Sequence, residues 1–279
     1  MSSLQVERTQ GFPRPQKIKT VFCTSGGALG ATVMEAIAAD DRFRIVGLVR
    51  STRVFRPEMG FVRGAAHFFL RCGIPYTIYL WIITAVTEVF GKLLRRENWS
   101  VGLMARRLKI RELTTRDVNS PEGREFLRAL DPHLLISAHF DQKLGKELCD
   151  GGAYAAVNLH PSLLPAHRGV DPVFQSLLAE EKEVGVTLHR LSEELDQGKI
   201  LDQQGIPREV GRSVFACNRE LMRLGAEMLL RNQALLLEAT SGIDQPSGGT
   251  YESWPNPREV RKLYSKGLGL LNWKDFTLF

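Results

Sequence analysis

Cysteine is scarce in this chain. There are four, Cys23, Cys72, Cys149 and Cys217, and none stands at CxxC spacing. That pattern offers neither a disulfide framework nor a zinc site, so no metal is expected. Scattered single thiols suit a reducing compartment, and the expected location is cytoplasmic. Excess charge is modest as well. The formal net charge is +6, with no Lys/Arg run that would build a nucleic-acid face, and nucleic acid is not expected as a partner. Residues 1–16, MSSLQVERTQGFPRPQ, lack the apolar core of a signal peptide and read as a flexible arm. A dinucleotide fingerprint is missing too. The cluster Ser25-Gly26-Gly27-Ala28-Leu29-Gly30 has serine where the first glycine belongs, and Arg50-Ser51 stand where an acidic residue would hold a ribose.

What remains is ordinary globular composition, 43% hydrophobic and 24% charged over 279 residues. That length suits one large domain with an appendage, or two small ones. Short apolar runs predict strands at Ile18–Cys23, Ile45–Val49, Leu134–Ser137, Tyr154–Leu159, Val186–Leu191 and Lys199–Gln203. Between the first two lies ATVMEAIAAD, a helix. Ser120-Pro121 and Asp171-Pro172 open two more helices. Ser213 caps a long one with Leu221, Leu224, Met228 and Leu235 on its apolar face, and Gly242 is its expected stop. Strands alternating with helices predict an α/β fold with a mostly parallel, twisted, Rossmann-like sheet. Three segments are expected: the arm at 1–16, a catalytic domain over 17–210 and a C-terminal helix and tail over 211–279. From Gln245 on, the tail is rich in Pro, Gly and aromatics and is expected to wrap the surface.

One stretch breaks the pattern. GIPYTIYLWIITAVTEVFG, residues 73–91, holds a single charge, Glu88, and is flanked by Arg71, Lys92, Arg95 and Arg96. It lies in an apolar helical insert spanning about 55–105. Its length approaches a membrane span, but Pro75, Glu88 and the two threonines argue against one. The expectations are a helix hairpin, buried or at a homodimer interface, or a peripheral membrane contact through 73–91.

Two clusters could bear chemistry. The turn at Ser25, Gly26 and Gly27 would aim backbone N–H groups at an anionic ligand, or would simply make a tight strand-to-helix turn. The second cluster is NLHPSLLPAHRG at 158–169. Asn158 and His160 share a strand face and fall where an open α/β sheet places its sites. Pro161, Pro165 and Gly169 stiffen the exit. Asp196 follows in EELDQGKIL. An amide, an imidazole and a carboxylate can take a carbonyl through a tetrahedral adduct: Asn158 and protonated His160 donate to the oxyanion, and Asp196 holds the charge on His160 or relays protons. Taken alone, the same residues also fit a capping Asn and a satisfied surface His.

The surrounding motifs add more. NLHPSLLPAHRG, GVTLHRL at 185–191 and ELDQGKIL at 194–201 resemble the catalytic signature of the 10-formyltetrahydrofolate-dependent formyltransferases. The resemblance implies the trio Asn158, His160 and Asp196, a 10-formyltetrahydrofolate co-substrate and an amine acceptor. It also implies folate contacts at Phe140, Gln142 and Leu144, and at Glu193, Glu194 and Leu195, with His189 as a structural hydrogen-bond partner. Roughly seventy residues follow Arg208, which argues against the C-terminal barrel of methionyl-tRNA formyltransferases. The apolar insert is foreign to glycinamide ribonucleotide formyltransferases. The first strand begins too early for the regulatory domain of formyltetrahydrofolate hydrolases. The expected enzyme is therefore an N-formyltransferase acting on a small amine or hydroxylamine, such as an amino sugar or a hydroxyornithine-like metabolite. Those three enzymes remain alternatives, as does a non-catalytic folate-binding or membrane-associated protein.

Overall fold

The computed structural model describes residues 17–53, 60–149, 154–238 and 241–276. The arm expected at 1–16 lies outside the described residues. In chain order come β1 (Ile18–Thr24), α1 (Gly27–Ala39), β2 (Phe43–Ser51), α2 (Phe61–Cys72), α3 (Ile74–Trp81), a π turn (Ile82–Val86) and α4 (Thr87–Leu94). Next are α5 (Val101–Leu108), β3 (Arg111–Thr115), α6 (Pro121–Leu130), β4 (Leu134–Ala138), α7 (Lys146–Cys149), β5 (Ala155–His160) and β6 (Arg168–Gly169). The chain continues with α8 (Pro172–Leu178), β7 (Glu183–Arg190), β8 (Ile200–Pro207), α9 (Val214–Arg231), α10 (Gln233–Leu237), β9 (Tyr251–Glu252) and α11 (Pro257–Ser265).

The main sheet has seven strands in the order β3-β2-β1-β4-β5-β7-β8. Its first five run parallel, β7 is antiparallel to β5, and β8 is antiparallel to β7. The fold is thus the α/β, mostly parallel class that the alternation of elements predicts. The central strands β1 and β4 are buried almost throughout, as covering on both faces requires. One face packs Phe22, Leu29, Met34, Leu221 and Met228 into the larger core. The other packs Val21, Phe126, Leu127 and Leu135. Strand order reverses between β1 and β4, which opens a crevice at their C-terminal ends.

Three sequence expectations need correction. β3 has no strand signal in the sequence, because RELTT at the sheet edge buries only Leu113 and carries no apolar run. The long helix does not reach Gly242. It ends at Arg231, where the Asn232 side chain donates to the Met228 carbonyl 2.8 Å away and to Asp202. The 73–91 stretch is not itself a hairpin. The bend falls at Gly73, whose φ of 79° closes α2, and Pro75 in the first turn of α3 starts one continuous helix over Ile74–Leu94.

The π turn keeps that helix in phase. Residues four apart drift around a straight α-helix, yet Tyr79, Ile83, Thr87 and Gly91 are all buried. The wider turn between Ile82 and Val86 absorbs the drift. Glu88 also faces inward. Its carboxylate accepts from Ser100 Oγ at 2.7 Å and from the backbone N–H of Val101 and Gly102 at 3.1 Å, and Lys92 Nζ lies 3.1 Å away. The one acid of the apolar stretch therefore caps α5, where an anion meets the exposed N–H groups of a helix start.

Candidate active site

β5 ends the parallel series and carries Asn158 and His160 to the lip of the crevice. Asn158 lies opposite His189 in the antiparallel register with β7. Its Nδ2 is 3.1 Å from His189 Nε2, while His189 Nδ1 lies 2.8 Å from the Arg190 carbonyl and donates to it. His189 is buried, and burial pushes its pKa down to about 4, so the ring is neutral at neutral pH.

His160 is buried too. Its Nε2 lies 2.9 Å from the His167 carbonyl and must carry the proton, since a carbonyl only accepts. Its Nδ1 lies 3.6 Å from Asp196 Oδ1, and the same carboxylate oxygen is 3.8 Å from His189 Nε2. Asp196 Oδ2 accepts from Gly169 N–H at 2.8 Å. Asp196 is buried at a φ of 56°, so the turn that holds it is itself a special conformation. The amide, the imidazole and the carboxylate thus meet in one place, with His189 between them.

The loop after His160 is tied down residue by residue. Thr187 Oγ1 donates to Ser162 O at 2.6 Å and accepts from Leu164 N–H. Gln203 Nε2 donates to Leu164 O. β6 pairs with β9 of the tail, and a Cβ on Gly169 would overlap the Glu252 carbonyl, so glycine is needed there. Gln245 Nε2 donates to the carbonyls of Asp196 and Gly198, 2.8 Å each. The tail therefore braces the turns that position both the imidazole and the carboxylate.

A cavity of about 340 Å³ opens over this group. Asn158, His160 and Asp196 line it. Ser25, Arg53, His139, Phe140 and Lys143 line it on the β1–β4 side. Tyr76, Tyr79, Asp171, Asn218 and Trp254 line it on the other. Sequence reasoning missed this second wall, because four separate segments supply it. Tyr76 donates to Asp171 Oδ2 at 2.8 Å. Burial raises the Asp171 carboxyl above its ordinary range, opposed by hydrogen bonds from Tyr76, Phe174 N–H and Asn218. His139, at a φ of 48°, is held neutral by burial with a pKa of about 4, and its Nε2 has no hydrogen-bond partner among the described residues.

Of the other sequence candidates, Phe140 and Leu195 line the cavity. Gln142 reaches it, but its side chain is spent on the scaffold: Oε1 accepts from Val118 N–H at 2.7 Å, and Nε2 donates to Ser51 Oγ and Thr115 O. Leu144 is buried in the smaller core and does not line the cavity. Glu193 and Glu194 are exposed and are not among its lining residues. The glycine turn is likewise no anion cradle. Ala28 N–H donates to Thr87 Oγ1 at 3.3 Å, and a Cβ on Gly27 would overlap the Ile83 carbonyl of the π turn. The insert seals the start of α1, and only Ser25 remains on the cavity wall, its Oγ bonded to Asp141.

A family model described as "Formyl transferase" matches residues 81–232, more than half of the chain. A methionyl-tRNA formyltransferase of Halorhodospira halophila is 34% identical over 147 residues, covering 50% of this chain and 47% of its own. A GDP-perosamine N-formyltransferase of Brucella melitensis is 34% identical over 150 residues, covering 53% of this chain and 56% of its own. The chain spans about half the length of the curated relatives it matches. The solved N-formyltransferase of Helicobacter canadensis, in complex with folinic acid and dTDP-3-aminofucose, superposes with a TM-score of 0.52 at 15% identity, over 85% of this chain and 71% of that one.

Proposed function

This chain belongs to the formyl transferase family, and from that premise we propose that it moves a formyl group from 10-formyltetrahydrofolate to the nitrogen of a small-molecule amine or hydroxylamine. The observation that supports this reading is the convergence of Asn158, His160 and Asp196 on the cavity wall, with His160 Nδ1 3.6 Å from Asp196.

The acceptor nitrogen attacks the formyl carbon of the N10 formamide, and the carbonyl oxygen takes the charge. Asn158, with one N–H donated to His189, has a second N–H to offer that oxygen. Such a donor typically lowers the barrier by ~3–4 kcal/mol. The attacking nitrogen then sheds a proton and N10 gains one as its bond to carbon breaks, leaving tetrahydrofolate and a formamide. His160 Nε2 is committed to the His167 carbonyl, so Nδ1 is the position that exchanges protons, with Asp196 beside it to stabilise the charged ring. An aliphatic amine with a pKa of about 10.4 arrives mostly protonated at pH 7, so a proton acceptor is needed before attack.

The cavity fits the donor's reactive end. Phe140 and Leu195 provide apolar walls for a flat ring, and Lys143 and Arg53 suit the carboxylates of its tail. The acceptor then occupies the side walled by Tyr76, Tyr79, Asp171 and Trp254. That enclosed wall favours a small amine such as an amino sugar over tRNA, the substrate named for several relatives. Incubation of the protein with 10-formyltetrahydrofolate and a panel of amino sugars and hydroxylamines, read by mass spectrometry, tests this. Formylated product that vanishes with His160→Gln supports it. Formate release without any amine would make the protein a hydrolase instead, and transfer only to aminoacylated tRNA would replace the acceptor.

A further inference from the structure

The outward face of the insert is unlike any other surface among the described residues. On α3 and α4, Ile74, Ile78, Trp81, Val89 and Leu93 form a stripe on the side away from the core, and Leu93 is 72% exposed. α2 continues it with Phe69 and with Leu70, 80% exposed, up to the corner at Gly73. Soluble proteins seldom leave so many large apolar side chains together in water.

We propose that this face docks on an anionic lipid bilayer, with the helix over Ile74–Leu94 lying along the surface. Charge selects this occupant. Between Gly60 and Arg96 the basic residues are Arg63, Arg71, Lys92, Arg95 and Arg96, and the sole acid is Glu88. Glu88 is turned inward onto α5, so the charges that α2 and the helix over Ile74–Leu94 present outward are cationic. The nearby acids belong to other segments: Glu252 and Glu259 of the tail lie beside Arg71, and Glu97 pairs with Arg107. A bilayer of anionic headgroups complements both parts at once: acyl chains take the stripe, and phosphates take the arginines. A second copy of the chain would set arginine against arginine. A transmembrane path is closed by the opposite face, where Tyr76 bonds Asp171, Tyr79 and Ile83 line the cavity and the π turn seats on Gly27. The same helix therefore has the bilayer on one side and the cavity on the other.

Vesicle co-sedimentation at low salt tests the proposal without any turnover, so its failure is separate from that of the formyl-transfer reading. The full chain should pellet with mixed phosphatidylcholine and phosphatidylglycerol vesicles and far less with phosphatidylcholine alone, and salt should release it. Ile78→Glu with Trp81→Glu, both outside the cavity lining, should lower the bound fraction at least about tenfold, as expected for loss of buried apolar area. The melting temperature should stay in place. Arg63→Glu with Arg95→Glu should remove the preference for anionic vesicles. No pelleting with mixed vesicles at low salt overturns the proposal. So does a concentration-dependent dimer in lipid-free buffer that Ile78→Glu dissolves, which would make a second copy the occupant.

Discussion

Asn158 donates from Nδ2 to Nε2 of His189, 3.1 Å away across the pairing of β5 with β7. Because His189 spends its own N–H on the Arg190 carbonyl, its Nε2 can only accept while the ring is neutral. The amide is thereby fixed with its NH₂ group toward the histidine, and flipping it would set a carbonyl oxygen against a lone pair. Asn158→Asp keeps size and shape but removes both N–H groups. The turnover number should fall by about 10²–10³, the usual effect of one lost oxyanion donor, with formyl-folate affinity little changed. The new carboxylate should also draw a proton onto His189, moving its titration upward in an NMR pH series. Asn158→Ala should cost a similar rate loss without that second change.

His160→Gln can still offer its side-chain NH₂ to the His167 carbonyl, but it cannot gain and lose a proton at cavity pH. A rate loss of about 10²–10⁴ is expected for losing a general acid–base group. Single-turnover kinetics with preloaded formyl-folate separates that loss from a binding defect. A rate within about tenfold of the parent would remove His160 from the proton path.

Acid stability follows from His189. Burial holds its folded pKa near 4, below the ordinary 6.5, so the unfolded chain takes the proton first as pH falls. Stability from this residue is complete above the unfolded value and is lost as pH drops through the window down to the folded one. The linkage is worth about 3 kcal/mol across that window. Urea midpoints measured at pH 7 and pH 4.5 should differ in that direction, and His189→Gln should flatten the dependence. His139, also held near 4 by burial, adds a term of the same sign and is the residue to replace as a control.

Much of this was legible in the chain because it is local. Periodicity gave every strand of the main sheet but the edge strand β3, and Ser120 and Ser213 do cap α6 and α9 through their side-chain oxygens. Asn158 and His160 could be placed on one face from their spacing alone. The rest depends on pairings that spacing does not encode. Nothing in GIPYTIYLW tells that Tyr76 will reach Asp171, 95 positions on, or that Trp254 will close the same wall. Leu144 and Gln142 show the opposite limit, although Gln142 does line the cavity. Their neighbours carry a family motif, but their side chains fill core and brace loops, and a motif does not say which way a side chain turns.

The glycine turn gives the sharpest contrast between a sequence reading and a structural one. As an anion cradle, Gly27 would be glycine so that a ligand could approach its backbone. In the structure it is glycine because the Ile83 carbonyl of the π turn sits where a Cβ would be, and because its φ is 68°. Gly27→Ala should therefore lift the insert off α1, breaking the Thr87 bond to Ala28 N–H and loosening Tyr76 and Tyr79 on the cavity wall. Overpacking of this kind typically costs about 1–3 kcal/mol, and the left-handed backbone adds about 1–2 kcal/mol more. Thermal melts should drop accordingly, and any activity loss should track the melt and recover on cooling. Thr87→Val, which removes only the hydroxyl, should show a smaller drop of the same kind. If Gly27→Ala left the melting temperature unchanged and raised only the Michaelis constant for an anionic acceptor, the turn would be a ligand site and the insert a movable cover over it.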